Sequence, residues 1–403
     1  MIQPNISQLG HSKSYEYKII ITTGLALFAM FFGAGNILFP LYLGANAGQH
    51  ITLTALGFLI TGVGVPFLGL VATSLFKGNC HEFFARLGRV PGFLLITFLM
   101  IIIGPLAAMP RTESTTFHTL SPYLPDFLNH NPTFSLIYCS IIFLLAYRET
   151  KVIDILGLFL SPIKIISFAA LIIIGFIYAE PSLPTALSST AAFRIALLNG
   201  YNTMDLLGAF FFCSVAFKSI EHATQTNIQL DTRRMTLQAC IIGALLTSTI
   251  YLGFMSIAYH HASELQGLAE EQMISAISTA VLGKFGGLFV CISVSFACVA
   301  TALALADVCT IYLHEEIFKK RIPKLACLTL VMLVTYLVSN LGFQGILNFS
   351  VPILHVVYPS LIVLCVLNIL YKWKGLKPIK APVFITAIIF IGLLYHKTIL
   401  GWF

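Results

Sequence analysis

The sequence predicts an all-α polytopic membrane protein, and three observations carry that prediction. Of its 403 residues, 58% are hydrophobic and only 10% are charged, against about 25% charged in an average soluble domain. The charges come in clumps, separated by apolar runs of about 20 residues, the length that crosses a hydrocarbon core about 30 Å thick. Lys and Arg collect in every other clump, as a chain threading back and forth through a bilayer requires. A β-barrel would instead show alternating segments of about 10 residues.

Eleven spans follow in order. The first, 18–44, begins at Lys18. The second, 51–76, stops before Lys77. The third, 92–110, lies between Arg89 and Arg111. The fourth, 134–148, ends at Arg148, and the fifth, 155–179, follows Lys151. The sixth, 197–218, ends at Lys218, and the seventh, 236–260, follows Arg233 and Arg234. The eighth, 285–313, follows Lys284. The ninth, tenth and eleventh are 325–342, 345–371 and 381–398, separated by basic clusters. With the N-terminus cytoplasmic, 18 of the 23 Lys and Arg residues fall inside and 4 outside, leaving Lys164 within a span. Such a bias is the positive-inside signature. It places the chain as a multi-pass protein of the inner or cytoplasmic membrane with its N-terminus in the cytoplasm.

The remaining composition narrows the function classes. The nine cysteines are scattered singly, with no CxxC pair, so they read as small core residues and not as disulfides or zinc ligands. The first 16 residues are polar and the apolar run after them has no cleavage-site pattern, so no removable signal peptide is expected. There is no nucleic-acid motif, no low-complexity tract and no soluble domain. A channel would need a continuous polar pore with rings of like residues. An enzyme would need a nucleophile with its base, or a metal cluster. Neither pattern is present, so the chain is expected to be no enzyme and to carry no cofactor beyond a co-transported ion.

Two spans interrupt their own helices. The first contains "FFGAGNILFP", residues 31–40, in which Gly33 and Gly35 disfavour regular helix, Asn36 can bond its own neighbours and Pro40 lacks a backbone donor. The sixth contains Asn199, Gly200, Asn202, Thr203, Asp205 and Gly208 within an otherwise apolar run. Unpaired backbone in hydrocarbon costs several kcal/mol per group, so it survives only beside something polar. If the core is two five-span repeats, spans one and six hold equivalent positions in them with opposite orientation. Broken helices at matching positions are the sequence pointer to a transporter's binding site. Half-helix N-termini suit a carboxylate, and free carbonyls suit a cation. Glycine and proline are also simply common in membrane helices.

At these residues the chain resembles a known family. The run "LFAMFFGAGNILFP" is similar to the first span of the branched-chain amino acid:cation symporters, the BrnQ-like carriers. The likeness continues through "GFLITGVGVP" (57–66), "GPLAAMPRTESTTF" (104–117), "LSPIKII" (160–166), "NGYNTMDLLGA" (199–209), "TALALADVC" (301–309) and "SVPILHVVYP" (350–359), in order along nearly the whole chain. The resemblance implies a LeuT-type five-plus-five inverted repeat, with repeat one at about 18–179, repeat two at about 197–371 and an extra span at about 381–398, all in a single transporter domain, 1–403. The family usually has twelve spans; the one missing here would lie outside the repeats. The segment Gly33-Ala34-Gly35-Asn36 resembles the unwound first helix that holds substrate carboxylate and cation in that superfamily. The outer-gate arginine that follows this segment in the neurotransmitter-type carriers has no counterpart here.

The resemblance and the polar residues together define the expected site. Substrate contacts are expected from Phe31, Gly33, Ala34, Gly35, Asn36, Asp205, Leu207, Gly208 and Phe210, with Phe31, Leu207 and Phe210 forming an apolar side-chain pocket. Asn36, Lys164, Asp205, Cys298, Thr301 and Asp307 are the candidates for cation coupling, with a sodium site at Thr301. Asp205 is either a ligand for a cation or substrate amine or an N-cap of the second half-helix, and the two roles are compatible. Lys164 follows Pro162 in span five. Its position resembles that of a lysine standing where other superfamily members bind sodium. A buried ammonium can replace a cation electrostatically, or it can snorkel or pair with an acid. Thr301 resembles the hydroxyl of the superfamily's sodium site, but the next residue is Ala302, where a second hydroxyl is common; a helix threonine also back-bonds to its own turn. Asp307 pairs with Lys164 or lines the exit path. His355 reads as an interface residue, and His260, His261, Glu264, Glu270 and Glu271 as a hydrated outer loop. The expected activity is import of leucine, isoleucine and valine with a monovalent cation by alternating access, sodium favoured. Proton coupling through Lys164, or another small neutral amino acid as substrate, is the alternative.

Overall fold

The computed structural model describes residues 6–147, 151–179, 184–185, 187–224 and 231–399, and their side chains apart from 6–13, 151–161, 224 and 397–399. Arg148 and part of the loop after the sixth span, residues 225–230, lie outside the described residues, as do the side chains of Lys13, Lys151 and Lys397. Among the described residues there is no strand.

In chain order the helices are α1 (Ile6–Phe31), α2 (Gly35–Ala47), α3 (Ile51–Leu59), α4 (Val65–Ser74), α5 (Cys80–Ala85), α6 (Arg89–Ile101), α7 (Ala108–Leu120), α8 (Asn131–Tyr147), α9 (Lys151–Ile177), α10 (Ser189–Asn202), α11 (Asp205–Thr224), α12 (Thr232–His260), α13 (Ala262–Leu265), α14 (Met273–Tyr312), α15 (Lys324–Ser339), α16 (Gly342–Lys374) and α17 (Lys380–Ile399). Each of the eleven apolar runs lies in one of these helices or in a consecutive pair. A π-helical turn, Ile60–Gly64, joins α3 to α4, and another, Ile102–Leu106, joins α6 to α7.

The two interrupted helices stand at the centre. The pair α1 and α2 lies along α12, α10 packs on α3, α11 on α4, and α14 on α7 and α9. Small residues permit the closest of these approaches. A Cβ on Gly44 of α2 would sit 2.2 Å from the Met255 carbonyl oxygen of α12, so only hydrogen fits there. The outward faces are apolar. On α17, Ile385, Ile388, Ile389 and Leu393 are each more than half exposed. Large aliphatic side chains presented outward in rows require a lipid solvent, since water would drive them inward. One end of the bundle is rich in cations: Arg86 donates to the Lys377 carbonyl at 3.3 Å, Lys372 pairs with Glu82 at 3.6 Å, and Lys324 pairs with Asp307 at 3.7 Å.

Several expectations are corrected here. The first break falls at Phe32–Ala34, so Gly35 and Asn36 are helical, in the first turn of α2. Phe32, with a large side chain packed at 0% exposure, takes up the non-helical backbone instead. The third span does not stop at 110. It bends at Gly104 (φ −85°, ψ −116°) and Ala107 (φ −131°) and continues as α7 through Leu120. Arg111 and Glu113 are therefore interior, at 2% and 0% exposure, and Lys164 is not the sole cation inside the bundle. Polar residues "RTESTTFHT" resemble a loop by composition, but their α7 face is covered by α8, α14, α15 and α16. The stretch after α12 is hydrated in part, with Ser263, Glu264, Gln266 and Gln272 exposed and His260, Glu270 and Glu271 half-buried. It packs back on α2 and α7, burying His261, whose Nε2 lies 3.1 Å from the Gly175 carbonyl oxygen.

Candidate substrate and cation site

The two breaks face each other. Past the end of α1, the amides of Ala34, Gly35 and Asn36 have no backbone acceptor among the described residues, since the next bonds run from Ile37 and Leu38 back to the Ala34 carbonyl. They form the open N-terminus of α2, which carries a partial positive charge. The second break is Thr203–Met204. Met204 sits at φ 64°, a left-handed conformation that costs an L-residue about 1–2 kcal/mol, and it turns the chain so that Asp205 opens α11.

One buried triad ties the breaks together. Asn36 Nδ2 donates to Asp205 Oδ2 at 2.7 Å and also to the Tyr251 hydroxyl, which itself donates to the same Oδ2 at 3.1 Å. All three side chains are buried. Tyr251 comes from α12, so the first break, the second break and the seventh span meet at one carboxylate oxygen. Tyr358 of α16 adds a further tie, its hydroxyl accepting from the Leu206 amide at 3.3 Å.

A cavity of about 40 Å³ lies between the breaks, room for roughly three waters. Its lining includes Phe31, Gly33, Ala34, Gly35, Asn36, Asp205, Gly208 and Thr301 from the expected set, together with Met30, Ile103, Arg111, Thr203, Phe212 and Leu305. Phe31 and Phe212 meet edge to face across it, ring centres 5.1 Å apart. A second cavity of about 30 Å³ shares Phe31 and Asp205 with it and runs between α1, α4 and α12.

The cation candidates separate into two groups. The Thr301 hydroxyl donates to the Met30 carbonyl at 3.3 Å, which puts two hard oxygens beside the first break. Gly33 is what allows it, for a Cβ there would stand 3.0 Å from Thr301 Oγ1. Lys164 is fully buried, and its ammonium has no hydrogen-bond partner among the described residues. Cys298 of α14 is a neighbour of it. Cys298 and Thr301 are three residues apart on α14, about 4.5 Å along the axis, so Lys164 approaches the same stretch of α14 that carries the threonine. Asp307 does not join them. Nine residues beyond Cys298, it is about 13 Å further along α14, and it pairs instead with Lys324 at the cation-rich end.

Two of the expected apolar contacts also lie elsewhere. Leu207 is packed in the core, and Phe210 stacks on Phe83 and Phe84 with ring centres 5.2 and 5.0 Å away. Both point off the cavity because α11 turns that face toward α4 and α5; Gly208 and Phe212 face inward instead. The structure adds Arg111, Thr203, Tyr251 and Tyr358. Arg111 was legible in part, because "GPLAAMPRTESTTF" is one of the stretches that carry the family resemblance, but the apolar run ends one residue before it. A tyrosine within an apolar span, such as Tyr251 or Tyr358, gives no signal by itself. Among the described residues no cluster of His, Cys, Asp or Glu has the makings of a metal site of its own.

With this geometry in view, comparison with known proteins is informative. The family described as "Branched-chain amino acid transport protein" matches residues 16–399. The branched-chain amino acid permease BrnQ of Escherichia coli is 34% identical over 376 residues, covering 91% of this chain and 84% of the relative. The branched-chain amino acid transport system 3 carrier protein of Pseudomonas aeruginosa is 32% identical, covering 92% and 85%. Among solved structures, a nucleobase-cation-symport-1 family transporter in a closed conformation with bromovinylhydantoin bound superimposes with a TM-score of 0.61 at 15% identity, over 87% of this chain and 78% of the other. MhsT in complex with L-phenylalanine superimposes with a TM-score of 0.59 at 13% identity, over 92% and 97%. The fold is that of the LeuT-type transporters, and the relatives are permeases and not enzymes. By the length of the match, the paired helix breaks and the identity to its relatives, this multi-pass membrane chain belongs to the branched-chain amino acid transport protein family.

Proposed function

We propose that the protein imports leucine, isoleucine and valine across the cytoplasmic membrane by symport with sodium, rocking its repeats around the cavity between the two breaks. The observation that carries this reading is the convergence of the α2 N-terminus, Asp205 and Thr301 on one buried space. The amides of Ala34 to Asn36 offer donors to a carboxylate. Asp205, whose Oδ2 is held by Asn36 and Tyr251, offers a negative site to an ammonium or a cation. Met30, Phe31, Ile103, Phe212 and Leu305 surround the place left for an aliphatic side chain. The cavity is too small for a whole leucine, so loading requires Phe31 and Phe212 to part; binding and gating then belong to the same residues. The cation-rich end faces the cytoplasm by the positive-inside rule, with the N-terminus on that side.

For the ion, the supporting pair is the Thr301 hydroxyl and the Met30 carbonyl, oxygen ligands of the kind a hard cation takes. Lys164 supports a second reading. It is a buried ammonium without a hydrogen-bond partner among the described residues, it approaches the stretch of α14 that carries Thr301, and like charge nearby opposes sodium. In that reading Lys164 exchanges a proton in each cycle. Uptake of labelled leucine into proteoliposomes, with sodium and proton gradients imposed separately, tests both. Accumulation on a sodium gradient alone is the expected result. Accumulation on a proton gradient alone, abolished in Lys164→Ala while leucine exchange persists, replaces sodium by the proton. No accumulation on either gradient overturns symport.

A further inference from the structure

The Arg111 side chain is the least explained group in the interior. It is 2% exposed, and only NH1 has an acceptor, the Asn202 carbonyl at the end of α10, 2.7 Å away. Nε and NH2 have no hydrogen-bond partner, and no carboxylate lies within ion-pair distance of it among the described residues. Asp205 and Glu270 act on it only through space. Its guanidinium is flanked by the rings of Phe39 and Phe343, 5.1 and 5.8 Å from their centres. NH2 stands 2.8 Å from where a Cβ on Gly35 would be. An always-charged cation is thus pressed against the positive end of α2, with open donors on both and a cavity in front of them. Such an arrangement is unfavourable by itself and is completed by an anion.

We infer that Arg111 is a substrate-binding residue: its free guanidinium edge grips the α-carboxylate of the transported amino acid, with the α2 amides taking part of the same group. The inference rests on the reading of this cavity as the amino-acid site. A planar fork matches two carboxylate oxygens at once, which a point charge such as lysine does not. Gly35 has a reason in this arrangement, because any side chain there would displace the fork. Anchoring the carboxylate at α7 and α2 together also makes substrate a bridge between the third span and the first, while NH1 holds the C-terminal end of α10 in place.

The test is competition against labelled leucine uptake in proteoliposomes by unlabelled leucine and by leucinamide, which keeps the ammonium and side chain but lacks the carboxylate. Wild-type protein is expected to prefer leucine by about 100-fold or more, the discrimination a site built for a buried hydrogen-bonded group shows. In Arg111→Gln, affinity for leucine is expected to fall at least tenfold while that for leucinamide is unchanged, so that the preference collapses. Arg111→Lys, which keeps the charge and fits the same space, is expected to fall between them. Thermal stability in detergent separates assembly from binding: leucine should raise the melting temperature of the wild-type protein, leucinamide should not, and if Arg111→Gln does not assemble, Arg111→Lys carries the comparison. A variant that loses affinity for both ligands equally, or that keeps the wild-type preference, makes Arg111 a structural tie to α10 and overturns the inference. Failure of the wild-type protein to take up leucine at all overturns the transport reading instead.

Discussion

At the scale of single residues, the site is held by very short tolerances. Gly33 is set against Thr301, where an added methyl would stand 3.0 Å from the hydroxyl oxygen and 3.1 Å from Cγ2. Gly33→Ala is therefore expected to push Thr301 off the Met30 carbonyl and raise the sodium concentration for half-maximal uptake severalfold, with a smaller effect on leucine KM. Equal change in both constants counts against Thr301 as a cation ligand. Tyr251 is the second such residue. Tyr251→Phe keeps the ring that packs on Phe58 with centres 5.0 Å apart and removes the donor to Asp205. Oδ2 keeps the Asn36 amide, so what is lost is one hydrogen bond to a charged group, about 1.5–3 kcal/mol, and leucine KM is expected to rise roughly 10- to 150-fold, read from uptake kinetics. An unchanged KM would show that the triad does not shape the site.

At the scale of elements, each interruption has its own physical cause. The first break needs glycine because Thr301 of α14 closes on Gly33, and Arg111 of α7 and the Thr203 backbone close on Gly35. The second needs no glycine, since a methionine is forced to φ 64° by what surrounds it. Met204 is also buried in the core at 3% exposure, so Met204→Gly relieves about 1–2 kcal/mol of left-handed strain but forfeits about 2–5 kcal/mol of packing and about 0.5–1 kcal/mol of chain entropy, and is expected to lower the melting temperature in detergent by a few degrees. Met204→Val retains part of that packing yet places a β-branched side chain in the left-handed conformation, and is expected to lower it further. If valine is tolerated as well as glycine, the positive φ is not imposed by the fold. The bend between α6 and α7 has a different cause. Gly104 and Pro105 disrupt the helix there, and the bend delivers Arg111 to the cavity and Glu113 to Ser135 of α8, whose hydroxyl donates to it at 2.7 Å.

At the scale of the whole molecule, orientation and burial make one prediction together. All nine cysteines are buried, so an impermeant maleimide should meet little native background. A cysteine at exposed Lys377, at the cation-rich end, is expected to label only after the membrane is permeabilised. One at exposed Lys284 is expected to label in intact cells. The opposite pattern would reverse the topology and, with it, the assignment of the N-terminus to the cytoplasm.

The amino-acid order alone determined the solvent of this protein, the position of its eleven apolar runs, and the fact that the first and sixth of them are broken. These are properties of local composition, so they survive without knowledge of contacts. It singled out Gly33, Gly35, Asn36, Asp205 and Thr301, which line one cavity, for the same reason: each is a polar or flexible residue in an apolar background, and Ala34 lies between two of them. Only the tertiary structure decided which of the polar residues meet. Arg111 sits in a polar stretch that composition assigns to water, and it is interior because four other helices cover that stretch. Asp307 and Lys164 are both charged and near in the expected map, yet the rise of α14 keeps them apart. Leu207 and Phe210 are as apolar as Phe212, and the rotation of α11 alone determines that Phe212 faces the cavity while they face the core.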